Sequence, residues 1–165
     1  MRLTLLLLFS ILQIHVFSQN QKTYRDTLTV SLSIDSRNSF THTIDPAPYF
    51  IDHNELQIYA GEVLYIEIEH KKRKILSMHV VEENKNPERT ILISFDQSTR
   101  LNTHQGMNIR VTNPFEYRLK WKAEAMDIHY IWRKIRSFQI KAHNTHYSIL
   151  QEPIVSLLLS DFKFK

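Results

Sequence analysis

The sequence predicts an all-β domain folded as a two-sheet antiparallel sandwich, and three observations predict it. Apolar residues recur at every second position along most of the chain, the pattern of strands with one face buried. The runs are short and are separated by breaks such as Asp45-Pro46-Ala47-Pro48, Asn86-Pro87 and Asn113-Pro114, where proline and the short polar side chains favour turns. Beyond residue 18 no apolar run is long enough to span a membrane, and the remaining length suits one domain with a sizeable core.

At the N-terminus, Met1-Arg2 is a short basic start, Leu3 to Ile14 a nearly unbroken apolar run, and Val16-Phe17-Ser18 an exit with Val and Ser where a signal peptidase reads. That is the anatomy of a secretory signal, and the run is shorter than the roughly 20 residues of a membrane span. The expected organisation is a signal peptide over 1–18, cleaved after Ser18, and a single β-sandwich domain over 19–165. The mature chain is then released to the periplasm or the cell exterior, with no transmembrane span. Cysteine is absent, so the core holds the fold without disulfides. Thiolate nucleophiles, Cys-containing zinc sites and a lipidated N-terminal Cys are excluded with it.

Leu28, Val30, Leu32 and Ile34 alternate with Ser and Thr and read as the first strand. Tyr59-Ala60-Gly61-Glu62 turns the chain into a strand with Leu64, Ile66 and Ile68 on one face. The basic run His70-Lys71-Lys72-Arg73-Lys74 then reads as a solvated bend, with Lys71-Lys72-Arg73 as the loop. That register sets Ile68 opposite Leu76, Ile66 opposite Met78 and Leu64 opposite Val80, and turns Glu67 and Glu69 outward to neutralise the bend in part. Ile91, Ile93 and Phe95 form a further strand, and Met107, Ile109 and Val111 another after Gly106. Residues 118–141 fit two patterns. Leu119, Trp121 and Ala123 alternate with basic residues, as in a strand; Trp121, Ala125, Ile128, Trp132 and Ile135 recur at helical spacing, behind a capping-box-like Asn113-Pro114-Phe115-Glu116. Ile131, Arg133 and Ile135 run in one phase and Phe138 and Ile140 in the other, which points to a bulge near Arg136. About seven to nine strands result, in an immunoglobulin-like or related sandwich.

Val111-Thr112-Asn113-Pro114-Phe115, followed by Leu119-Lys120-Trp121-Lys122-Ala123, resembles a strand pair of small secreted proteins of Bacteroidetes-type bacteria. Pro153-Ile154-Val155-Ser156-Leu157-Leu158-Leu159-Ser160-Asp161-Phe162-Lys163-Phe164 resembles their closing strand. The similarity covers the last third of the chain. It implies a secreted β-rich domain of uncharacterised function, and it tips residues 115–141 toward a hairpin.

The informative asymmetry is electrostatic. Residues 118–141 hold seven basic residues, Arg118, Lys120, Lys122, Arg133, Lys134, Arg136 and Lys141, against Glu124 and Asp127. The rest of the mature chain has thirteen basic against fifteen acidic residues. A local field of that sign attracts an acidic protein, an acidic glycan or lipid head groups; nucleic acid is disfavoured because the chain reads as exported. Arg118, Lys120, Lys122, Arg133, Lys134 and Arg136 are therefore the candidate binding residues of a non-enzymatic interaction or structural accessory protein. Two alternatives compete with it. A carbohydrate-binding module would use Tyr117, Trp121, Tyr130, Trp132 and Tyr147 as a stacking platform, and a hydrolase or metal-dependent enzyme would centre on Asp52, His53 and Glu55. His143 and His146 invite a metal, but on a strand they face opposite sides, and no acidic cluster accompanies them. Gly61 and Gly106 are too far apart for a phosphate loop, so no cofactor is expected.

Overall fold

The computed structural model describes residues 21–165; the expected signal peptide, residues 1–18, lies outside the described residues. Fifteen strands are described: β1 (Tyr24–Arg25), β2 (Leu28–Ser33), β3 (Ser39–Ile44), β4 (Ala47–Pro48), β5 (Phe50–Asp52), β6 (Glu55–Tyr59), β7 (Val63–Lys71), β8 (Lys74–Val81), β9 (Thr90–Arg100), β10 (Thr103–Asn113), β11 (Leu119–Asp127), β12 (Trp132–Lys134), β13 (Phe138–Ile140), β14 (Asn144–Leu150) and β15 (Ile154–Phe164). Among the described residues no helix is long and apolar enough to cross a membrane. The fold class is the one the alternation predicts. The count exceeds seven to nine because strands are interrupted, β12 and β13 being two pieces laid along one partner, β11.

Two antiparallel sheets form the sandwich. One has the order β14-β10-β9-β7-β8, the other β12-β11-β15-β6-β5 with β13 also on β11; the hairpin β2-β3 and the short two-stranded pairing of β1 with β4 stand apart from them. Their inner faces share one core. Ile66 and Ile68 of β7, Ile91, Ile93 and Phe95 of β9 and Met107 of β10 join Leu56 and Ile58 of β6, Trp121 of β11 and Leu157 of β15, all at most 1% exposed. Full burial of each large apolar side chain contributes about 1.5–3 kcal/mol, which is how a chain without disulfides closes two sheets. Gly106 marks a bulge in β10. Its φ is 151°, and a Cβ there would lie 2.6 Å from Ile149 Cγ2, so only glycine lets β14 approach.

The basic bend is shorter than expected. Lys71 pairs with Lys74 and His70 with Ile75, so Lys72 and Arg73 alone make the turn, with Lys72 at φ 53°. A bulge after Glu69 then realigns the strands. Ile68 pairs with Met78 and Ile66 with Val80, two positions on from the expected partners, and Leu76 is left 57% exposed. Because the shift is by two, the apolar residues of β7 keep their face.

Residues 115–141 hold the strands β11, β12 and β13 and no helix, the hairpin the resemblance implied, and the helical spacing is coincidental. Trp121 stacks between Phe138 (5.5 Å, 11°) and Phe162 (6.2 Å, 19°), while Trp132, a full pattern repeat away, is 40% exposed. Asn113 caps no helix. Fully buried, it donates from Nδ2 to the carbonyls of Tyr117 (2.8 Å) and Lys141 (2.9 Å) and accepts from the Phe115 N–H (3.2 Å), pinning the loop shut. Two residues of β11 between Trp121 and Glu124 face three between Lys134 and Phe138, the extra residue expected near Arg136.

Candidate functional site

The six candidate residues divide between two environments. Residues paired directly across strands share a sheet face, so the pairs Lys120 with Lys163, Lys122 with Ser160 and Glu124 with Lys134 put Lys120, Lys122 and Lys134 on the outer face. Lys122 is ion-paired to Asp161, which bulges out of β15 at φ 56°. Arg133 stands opposite inward-facing Ala125 and is taken up by Asp127 and Glu152. Burial pushes the Asp127 carboxyl up, but the Arg133 guanidinium and the N–H groups of Ile131 and His129 outweigh it and hold the group below the ordinary carboxylate range. Arg136 donates to Ser148 Oγ (2.8 Å) and lies over the Phe138 ring. These two arginines fasten the sandwich edge. Arg118, just before β11, is exposed.

At the Arg118 end of β11 a second basic stretch arrives. The β7-β8 turn is docked there by His70, edge-on to Phe115 (5.1 Å) and Phe164 (5.2 Å), and by Arg73, 5.7 Å over Tyr117. The C-terminal strand ends beside them, its Lys165 N–H donating to the Arg118 carbonyl (2.8 Å). Lys71, Lys72, Arg73 and Lys74 thus lie at the same end as Arg118, Lys120, Lys163 and Lys165. Of the two carboxylates expected to neutralise the bend in part, Glu67 is taken by Arg89 and Asn86, whereas Glu69 keeps its charge beside the turn and accepts from the Ser77 hydroxyl. Among the described residues none of the turn's cations is in an ion pair. A groove of about 600 Å³ opens here, walled by Arg73, Lys74 and Lys163, floored by Ile75, Met78 and Phe162, and closed on one side by His53. The chain matches no protein-family model, no curated protein and no solved structure.

The other candidates are placed differently. Asp52, His53 and Glu55 form the β5-β6 turn. The His53 N–H donates to Asp52 Oδ1 (2.7 Å), turn chemistry that leaves the imidazole without a carboxylate partner. Among the described residues no three His, Asp or Glu are grouped to hold a metal ion. His146 is half-buried against Phe138, its Nε2 without a hydrogen-bond partner, while His143 is in the exposed turn before β14. Of the aromatics, Trp121 is core and Tyr117 belongs to the ring cluster around His70. Tyr130 bonds His42 (3.1 Å), and Tyr147, 69% exposed, belongs to the other sheet over Arg110.

Sequence reading passed over Lys163 and Lys165. Asp161-Phe162-Lys163-Phe164-Lys165 carries the signal, since alternation with two buried phenylalanines turns both lysines to one face. That they meet the 71–74 turn follows only from the sheet order.

Proposed function

We propose that the protein is an exported, non-enzymatic interaction protein whose basic end, built from residues 71–74, 118–120 and 163–165, binds an acidic partner protein. The observation that supports this reading is the convergence of three basic stretches, remote in sequence, at one end of the sandwich, where among the described residues none of their cations is in an ion pair and the carboxylates beside them, Glu69, Glu116 and Asp161, are outnumbered. Like charges held together raise the local potential and the association rate of an anionic partner. Export is supported by the basic start, apolar run and small-residue exit of residues 1–18, and the likeness of the C-terminal third to small secreted β-rich proteins agrees with it.

Labelled poly-L-glutamate, titrated into the protein with fluorescence anisotropy as readout, tests the proposal. Binding at low salt that is lost at about 0.5 M salt, where the Debye length falls below about 5 Å, is expected. No binding at low salt overturns it.

A further inference from the structure

Strand β8 is the last of its sheet, so among the described residues one of its edges has no strand partner over most of its length. The chain itself shows which backbone groups use that edge. Gln21 makes an antiparallel bridge to Val81, and the Lys22 N–H donates to the Val80 carbonyl (2.8 Å). The polar groups of Val80 therefore point away from β7, and by the two-residue repeat of a strand those of Met78 do so as well. The N-terminal segment then leaves the edge, Tyr24 pairing with Pro48 instead. From His79 back to Lys74 the edge borders two contiguous grooves, the basic-walled one of about 600 Å³ and a second of about 410 Å³ that shares His53 and Met78 with it.

We infer that this edge takes an extended acidic peptide segment, added to the sheet as a further strand antiparallel or parallel to β8. The inference rests on the proposed basic end and names the form of partner that end accepts. Side chains of an added strand alternate between two sides. One set would meet the apolar floor of Ile75, Met78 and Phe162, the other the cations of Arg73, Lys74 and Lys163. The segment that fits alternates carboxylate and apolar residues, with backbone hydrogen bonds to Met78 giving affinity and the basic wall giving selectivity. A second copy of the chain paired along this edge is the competing occupant, and self-association without peptide is its signature in the test.

A labelled peptide of alternating Glu and Val, about ten residues long, is titrated into the protein beside a Lys-Val peptide of equal length, poly-L-glutamate and phosphatidylglycerol vesicles, with amide hydrogen exchange recorded for β8. The Glu-Val peptide is expected to bind at least about tenfold more tightly than the Lys-Val peptide and to slow exchange of the Met78 amide. Met78→Pro, which removes an outward N–H that an edge strand can spare, is expected to weaken Glu-Val binding while poly-L-glutamate binding persists. Should that variant unfold, the exchange measurement on the unaltered protein decides. Binding without protection of Met78, preference for vesicles over the Glu-Val peptide, or peptide-independent self-association that protects β8 overturns the inference. If poly-L-glutamate binds and Met78 stays unprotected, the proposed function stands and the strand-addition inference falls; if no anion binds, both fall.

Discussion

Arg25 and Glu62, 37 residues apart in sequence, form a buried ion pair that ties the N-terminal segment to the sandwich. Arg25 is 2% exposed. Its Nε donates to Glu62 Oε1 (3.1 Å), and its terminal nitrogens donate to the carbonyls of Pro48 (3.0 Å) and Gln57 (2.6 Å). The guanidinium lies between the rings of Tyr49 (4.7 Å) and Tyr59 (4.9 Å), and the other carboxylate oxygen of Glu62 accepts the Tyr59 N–H (2.8 Å). The group is desolvated but fully paired, and planar enough to stack, which a lysine could not reproduce.

Removing one partner leaves a buried charge alone, so Arg25→Ala is expected to cost about 3–5 kcal/mol. Arg25→Met combined with Glu62→Leu is expected to recover most of that loss. Urea unfolding of the two variants measures both; equal losses would show that the charge of Glu62 is not what the arginine offsets.

Trp121 and Trp132 separate core from surface. Trp121→Ala empties the space between Phe138 and Phe162 and is expected to cost about 3–5 kcal/mol. Trp132→Ala, on an exposed side chain, is expected to stay within about 0.5 kcal/mol of the parent. The same unfolding experiment reads both.

Burial, and secondarily the charge of Arg136, holds the His146 imidazole below its ordinary value of 6.5. Between the folded and unfolded values the unfolded chain holds the extra proton, so this contribution is complete above about pH 6.5 and is lost as pH falls through that value toward the lower folded one. Unfolding midpoints followed across that window are expected to fall more steeply for the parent than for His146→Gln. Parallel profiles would remove His146 as a source of the pH dependence.

Strand phase was legible in the residues themselves. Ile91, Ile93 and Phe95, read as one buried face, are each 0% exposed, because a period of two is local information. The pairing register of β7 with β8 was missed by two positions because a bulge after Glu69 leaves no composition signal. Arg25 and Glu62 gave no hint at all, since only the folded sheet order brings them together. The basic site was half legible. Charge runs at 71–74 and 118–122 are plain in the sequence, whereas their union depends on which strands are neighbours. Arg133 and Arg136 looked equivalent to Lys120 until pairing placed Arg133 on the other face and Arg136 against Ser148.

Export makes a separate prediction. N-terminal sequencing of the protein recovered from the envelope or medium of an expressing bacterium is expected to begin at Gln19, the residue after Ser18. Recovery of the chain with Met1 intact would contradict cleavage.

The most direct measurement of the central claim is the poly-L-glutamate affinity of two charge-reversed variants, one in the 71–74 turn and one across the β11-β15 pair. Lys71→Glu with Lys72→Glu and Lys74→Glu, and separately Lys120→Glu with Lys163→Glu, are each expected to weaken binding at low salt by at least about tenfold, while Lys85→Glu, in the loop between β8 and β9, leaves it unchanged. If reversal of either stretch has no effect, the two do not form one surface, and the proposed site is wrong.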